Sequence, residues 1–140
     1  MAIVARYLID TSAAARMNNV TVAARLTEII DHGLVATTAV LDAEALYSAR
    51  SPDEYEQLWR DRGLAYEYLP TGDEHWQAAL NAQRSLARRS QHRSVGIADL
   101  LTAALAADHR VTVIHYDGDF ETAATVIDFN HVWVAPRGTL

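Results

Sequence analysis

The sequence contains no cysteine, no lysine and no apolar run approaching the length of about 18 residues that marks a transmembrane helix. Without cysteine, the chain has no disulfide scaffold, no thiolate metal site and no cysteine nucleophile. Residues 1–6 also lack the basic segment and long apolar core that begin a signal peptide. We therefore expect a cytoplasmic protein without a membrane span.

The chain has 140 residues, of which 50% are hydrophobic. This is enough for one core, whereas two domains would each be small for independent stability. We therefore expect a single domain over residues 1–140. Segments typical of strands and helices alternate along it without a repeat or linker, which predicts an α/β fold, a three-layer α/β/α sandwich with a mainly parallel central sheet.

The scaffold helices have recognisable boundaries in the sequence. Helices are predicted over residues 20–32, closed by Gly33, over residues 52–62, ended by Gly63, and from a capping box at residues 71–74 to about residue 89. Trp76, Leu80 and Ala87 are expected together on one side of the last helix. The aromatic pair Tyr55 and Trp59 is expected in the core, with an interface as the alternative. A last edge strand is predicted at residues 132–134.

Two acidic residues follow runs that are typical of buried strands. Asp10 comes after residues 3–9, and Asp117 comes after the β-branched run 111–116. The carboxyl ends of parallel strands line one crevice where ligands bind, so we expect the two carboxylates to face each other there. The alternatives are that Asp10 only caps the following helix and that Asp117, Gly118 and Asp119 form only a polar turn.

Two further acids interrupt helical segments that are otherwise apolar. At about 100° per residue, Glu44 shares a face with Leu41 and Val40, whereas Asp42 points to the far side. Asp99 is the only charged residue in the apolar helix that follows Gly96 until Asp108. A buried carboxylate must be paired, protonated or bound to metal. For Glu44, the alternative is a side chain that extends to the rim or bonds one hydroxyl.

Together the four acids predict one metal site. Carboxylates without thiolate or convergent imidazole are hard oxygen ligands that suit Mg²⁺, with Mn²⁺ as a substitute. Asp119 is expected to support the site, through water. No two of the six histidines are three or four residues apart, so we expect scattered surface or capping roles for them rather than a histidine metal site.

These residues give the chain a resemblance to the PIN-domain nucleases, and among them to the VapC-type toxins of bacterial toxin–antitoxin pairs. The matching segments occur in family order at residues 7–12, at Glu44 within residues 38–47, at residues 96–101 and at residues 114–120. The resemblance implies that four acidic residues hold a divalent metal that promotes the cleavage of RNA. These residues are Asp10, Glu44, Asp99 and Asp117. The motif residues Thr11 and Ser12 are implied to support the site. The chain departs from many relatives at His115, where they carry Thr or Ser.

The formal net charge of −6 is unexpected for a protein that binds a polyanion. Leaving out the four acids changes it to −2, and bound metal would offset much of the local charge. Four arginines lie just before the helix of Asp99, at positions 84, 88, 89 and 93. Arginine binds phosphate through two parallel hydrogen bonds, so this stretch is either an RNA-binding rim, with Arg93 as its main residue, or a solvated helix face.

The resemblance also implies partners: a cognate VapB-type antitoxin, whose C-terminal segment covers the acidic site, a second copy of the chain in a homodimer, and the RNA substrate. Two other functions remain open at this stage. One is a PIN-like module that binds RNA or protein without cleaving. The other is a phosphotransfer or phosphatase domain, because an aspartate at a strand end can accept a phosphoryl group; the absence of lysine counts against it.

Overall fold

The computed structural model describes residues 4–140. Met1 to Ile3, on which the signal-peptide argument and the start of the first predicted strand depend, lie outside the described residues. Five strands are present in that part of the chain: β1 Tyr7–Ile9, β2 Val35–Thr37, β3 Glu67–Tyr68, β4 Thr112–His115 and β5 Asn130–Trp133. They form one sheet in the order β3-β2-β1-β4-β5, and every neighbouring pair is parallel.

Seven helices flank this sheet among the described residues. They are α1 Thr11–Ala14, α2 Val20–Asp31, α3 Ala39–Tyr47, α4 Pro52–Ala65, α5 Asp73–Ala87, α6 Ile97–His109 and α7 Asp119–Ala123. Helices therefore separate successive strands, as a parallel sheet requires. The predicted α/β sandwich with a parallel sheet is confirmed, and so is the last strand at a sheet edge. None of the helices within residues 4–140 combines the length and apolarity needed to cross a membrane.

Helix α6 forms the centre of the packing. Its residues from Leu100 to Ala106 are all buried, and it packs against α5, α7, α3 and β4. The predicted apolar helix is therefore confirmed. It begins after Gly96, and Asp99 lies in its first turn.

Helix α4 differs from the prediction in length and in burial. It continues through Gly63 to Ala65, because the αL conformation that would end it does not occur there. It contains no buried residue, and Tyr55 and Trp59 are 40% and 61% exposed, so the expectation of a core position was wrong. The two rings line an open groove of about 560 Å³ between α3 and α4, together with Leu46 and Tyr68.

Helix α5 does not bury the side that carries Trp76 and Leu80. These two residues are 44% and 45% exposed, whereas the buried residues are His75, Ala79, Ala82 and Leu86. Two small alanines on that face allow α5 to approach the alanine-rich α6 closely. The predicted capping box is also replaced: Gly72 is the N-cap, and its N–H donates to Nδ1 of His75 at 2.9 Å.

The central position of α6 leads to a stability prediction. Leu105 is fully buried, so Leu105→Ala is expected to lower the free energy of unfolding by about 2–5 kcal/mol, since it leaves a cavity in the core. Leu64→Ala serves as the control, because Leu64 is 88% exposed and its loss should change stability by less than about 0.5 kcal/mol. Urea denaturation followed by circular dichroism measures both. Equal losses in the two variants would contradict the assignment of the core to α6.

Candidate metal centre

Asp10 ends β1 and is 3% exposed. Its Oδ2 accepts hydrogen bonds from the backbone N–H of Ser12 at 3.0 Å and from the Ser12 hydroxyl at 2.6 Å. The Ser12 oxygen in turn accepts from the backbone N–H of Tyr116 at 2.9 Å, which joins the ends of β1 and β4. Asp10 is therefore the N-cap of α1 while its carboxylate lies at the sheet edge. Thr11 follows it as the first residue of α1, and its supporting role stays a prediction.

Asp117 follows β4 and begins a tight polar turn. Its Oδ1 accepts from the backbone N–H of Asp119, the first residue of α7, at 2.9 Å. Carboxylate oxygens of Asp99, Asp117 and Asp119 lie within 4.8 Å of one another. The polar turn that was the alternative prediction is thus present. The same turn also places the carboxylates of Asp117 and Asp119 close to that of Asp99 on α6.

Glu44 enters the same region from α3. One of its carboxylate oxygens, Oε1, is buried and has no hydrogen-bond partner among the described residues. Asp42, two residues earlier, faces the other way, where it accepts from Arg62 at 2.8 Å and from the Thr37 hydroxyl at 2.7 Å. The two acids therefore lie on different sides of the helix, as the helical spacing predicted. Asp42 is neutralised by Arg62, whereas Glu44 has no cationic partner within residues 4–140.

The electrostatics of the site couple all of these acids. The pKa of Asp99 is raised to about 7, first by burial and then by the negative charges of Asp10, Asp117, Glu44 and Asp119. Burial is also the main reason that the pKa values of Asp10 and Glu44 are raised, although the bonds from Ser12 partly oppose the shift at Asp10. The carboxylates of Asp99, Asp117 and Asp119 thus form the closest group, and those of Asp10 and Glu44 lie near enough to influence the pKa of Asp99. We call these five residues the acidic cluster.

The residues present fit a divalent cation. The cluster offers only oxygen donors, its charges have the same sign, and the buried Oε1 of Glu44 has no protein donor to satisfy it among the described residues. A hard cation would supply the missing partner and remove the repulsion between the carboxylates.

Two histidines next to the site contact each other, and the expectation of a surface or capping role was wrong for His115. His115 is fully buried, and its Nδ1 accepts from the backbone N–H of Asp117 at 3.2 Å. Its Nε2 therefore carries the proton and donates to Nδ1 of His131 at 2.8 Å. Burial, followed by the neighbouring His131, lowers the pKa of His115 to about 4. The two residues are 16 positions apart, so only the pairing of β4 with β5 reveals the contact.

A second group of histidines has a structural explanation. Potential ligand atoms of His75, Asp108 and His109 lie within 4.8 Å of one another. However, Nδ1 of His75 accepts from Gly72, so its Nε2 carries the proton that it donates to Asp108 at 2.7 Å. Nε2 thus has no free lone pair for a metal. The contact ties the start of α5 to the end of α6.

Arg93, the arginine favoured from the sequence, lies exposed in the loop before α6. None of the hydrogen bonds or ion pairs within residues 4–140 joins it to an acid of the cluster. Its role in binding substrate therefore stays a prediction. A different arginine, Arg137, lies against the turn that carries Asp117 and Asp119.

The comparisons with known proteins agree with this geometry. The PIN domain family model matches residues 7–126. The chain belongs to the PIN-domain family, which confirms the resemblance seen in the sequence.

Within that family, the chain is 40% identical to ribonuclease VapC21 of Mycobacterium tuberculosis over 134 residues, which cover 96% of this chain and 97% of the relative. It is 37% identical to ribonuclease VapC51 of the same organism, with coverage of 96% and 97%. Among solved structures, the DNA-bound VapBC of Salmonella typhimurium superposes with a TM-score of 0.73 at 14% identity, covering 94% of this chain and 99% of that one. This last likeness supports the fold alone.

The raised pKa of Asp99 leads to a prediction for the metal-free protein. Because the folded state binds the Asp99 proton more tightly than the unfolded state, the contribution of this group to stability is largest at low pH and falls as the pH rises from about 4 to about 7. Asp99→Asn is expected to remove this pH dependence, so that at pH 8 and without metal the variant is at least as stable as the wild type. Urea denaturation across this pH range measures it.

The matched control is Asp42→Asn, which weakens the pairing with Arg62 and is expected to lower stability at pH 8. A clear loss of metal-free stability in Asp99→Asn at that pH would show instead that the Asp99 carboxylate is structural.

Proposed function

We propose that this protein is a metal-dependent endoribonuclease and the toxin component of a type II toxin–antitoxin pair. The observation that carries the proposal is the convergence of Asp10, Glu44, Asp99 and Asp117 from two strand ends and two helices, with a buried Glu44 oxygen that lacks a partner within residues 4–140. The names of the relatives support it, since proteins 40% and 37% identical over nearly the whole chain are called ribonucleases.

The four acids would hold Mg²⁺, with Mn²⁺ as a substitute, and Asp119 would act on it through water. When bound, the cation supplies polarisation of the scissile phosphate and a lower pKa for an attacking water. The chain itself fixes the carboxylates: Ser12 holds Asp10 through two hydrogen bonds, and the turn at Asp119 holds Asp117 through one. The carboxylate that faces the attacking water accepts its proton.

Binding of the cation is expected to stabilise the fold. Mg²⁺ or Mn²⁺ binds the assembled carboxylates of the folded state more tightly than the dispersed ones of the unfolded chain, so the melting temperature should rise with metal concentration. Differential scanning calorimetry of the chelator-treated protein, titrated with MnCl₂, measures the shift. The shift should be greatly reduced in Asp99→Asn and retained in Asp42→Asn. If the melting temperature of the wild type did not change with metal concentration, the proposed metal site would be contradicted.

The activity is tested with total RNA, incubated with Mg²⁺ or with EDTA, and the cleaved ends are read by sequencing. Wild-type protein is expected to cut in Mg²⁺ and to lose this activity in EDTA. Asp99→Asn should reduce cleavage by at least about a hundredfold, because it removes one charged ligand of the cation. Asp42→Asn is the control and should keep cleaving at a temperature where circular dichroism shows it folded. Binding of RNA without scission would support the alternative, a PIN-like module that binds RNA or protein.

The proposal includes a VapB-type antitoxin and a second copy of the chain as partners. Support for the antitoxin comes from solved neighbours of the same fold, which are described as VapBC complexes, including one from Rickettsia felis bound to a DNA fragment from its promoter. The second copy of the chain stays a prediction. We also propose that the protein acts in the cytoplasm, where both RNA and the antitoxin would be available to it. A monomer in light scattering, without a co-purifying protein encoded by a neighbouring gene, would contradict the partners and leave the chemistry of the site untouched.

A further inference from the structure

We infer that Arg137 binds a phosphate group of the RNA beside the acidic cluster, an inference that rests on the proposed function. Nη2 of Arg137 lies 3.2 Å from the position that a Cβ atom on Gly118 would occupy. Gly118 stands between Asp117 and Asp119, so the guanidinium group lies directly against the turn that presents these two carboxylates. The absence of a side chain at Gly118 leaves room for this approach.

The segment that carries Arg137 is held in place by the end of β4. After β5, the backbone N–H of Val134 donates to the carbonyl of His115 at 2.8 Å. Gly138 then adopts a φ of 79°, a conformation that glycine accepts readily, and the backbone N–H of Leu140 donates to the Tyr116 hydroxyl at 2.9 Å. Arg137 therefore lies on a turn anchored at both of its sides to residues next to Asp117.

Among residues 4–140, the contacts of Arg137 leave most of its hydrogen-bond donors without a partner. Its Nη1 lies 3.5 Å from Glu121, its Cζ lies 5.4 Å from the centre of the Trp133 ring, and its side chain is 68% exposed. An exposed ion pair of this kind contributes little stability, so it can yield to a phosphate. Glu121 would keep a partner, since it also accepts from the Trp133 indole N–H at 2.9 Å. A guanidinium group has five donors and can bind a phosphate through two of them.

The charge of the cluster explains why a cation is needed at this place. Five carboxylates converge there, and they repel the phosphates on either side of the one that meets the metal. Three other arginines near this edge of the sheet have different contacts: Arg25 donates to the carbonyls of Trp133 and Val134, Arg62 pairs with Asp42, and Arg16 packs over the Tyr116 ring, with its Cζ 4.9 Å from the ring centre. Arg137 is thus positioned to hold a neighbouring phosphate, with Trp133 behind it.

The test measures RNA binding without cleavage. The ligand is a fluorescein-labelled RNA that the wild type cleaves. In an Asp99→Asn background, Arg137→Gln is expected to raise the Kd for this RNA about tenfold. The slope of log Kd against log salt concentration should fall by about 0.7 to 1, because one phosphate contact is lost. Arg137→Lys should restore part of the affinity, since lysine keeps the charge but not the two parallel donors.

Two controls separate this role from a structural one. Glu121→Gln removes the ion pair but keeps the arginine, so RNA affinity should be unchanged or higher; a loss equal to that of Arg137→Gln would overturn the inference. Arg110→Gln removes an exposed arginine at the far end of α6, about 16 Å along the helix from Asp99, and should leave affinity unchanged.

The failures of the two proposals are distinguishable. If the wild type cleaves RNA and Arg137→Gln matches it in Kd, salt slope and kcat/KM, the inference on Arg137 is overturned while the nuclease function stands. If the wild type neither binds nor cleaves RNA, both fall. The midpoint of the Mn²⁺-induced melting shift should be the same with and without Arg137→Gln, and a large change would show that Arg137 maintains the metal site instead.

Discussion

Repulsion between carboxylates is the constraint on which the arrangement of this protein depends. Two unit charges 4 Å apart repel by about 4 kcal/mol at an effective dielectric constant near 20, and here five carboxylates share one region. The fold holds them against this repulsion. Ser12 bonds Asp10, the turn at Asp119 bonds Asp117, and the buried body of α6 fixes Asp99 in its first turn. Without a cation, burial in the first place and then the charges of these neighbours raise the pKa of Asp99 to about 7.

Helix α3 carries one acid that the fold neutralises and one that it does not. Asp42 and Glu44 are two residues apart, yet the first pairs with Arg62 and Thr37 while the second keeps a buried oxygen without a donor in the described part of the chain. The fold therefore supplies a cationic side chain where an acid has a structural role and leaves the Glu44 oxygen to another partner. A carboxylate that only stabilised the fold would be expected to have a partner like Arg62, because an unpaired buried charge is costly.

Local pattern was enough to predict the strands, the buried helix α6 and the opposite faces of Asp42 and Glu44, since these follow from the periodicity of apolar residues. It failed where contact between distant segments decides the outcome. The exposed position of Trp76 was not predictable, because the small residues Ala79 and Ala82 let α5 approach α6 on the other face. The bond from His115 to His131 depends on the pairing of β4 with β5.

The same distinction applies to the cations. Clustering along the chain favoured Arg93, yet the arginine that lies against the acidic turn is Arg137, which is far from Asp99 in sequence and is brought there by the turn after β5. A net charge of −6 therefore does not oppose binding of a polyanion. What matters is the field at the site, where a bound cation would offset the carboxylates and the Arg137 guanidinium group lies beside the turn that carries two of them. Five of the 18 acidic residues lie where a metal would neutralise them.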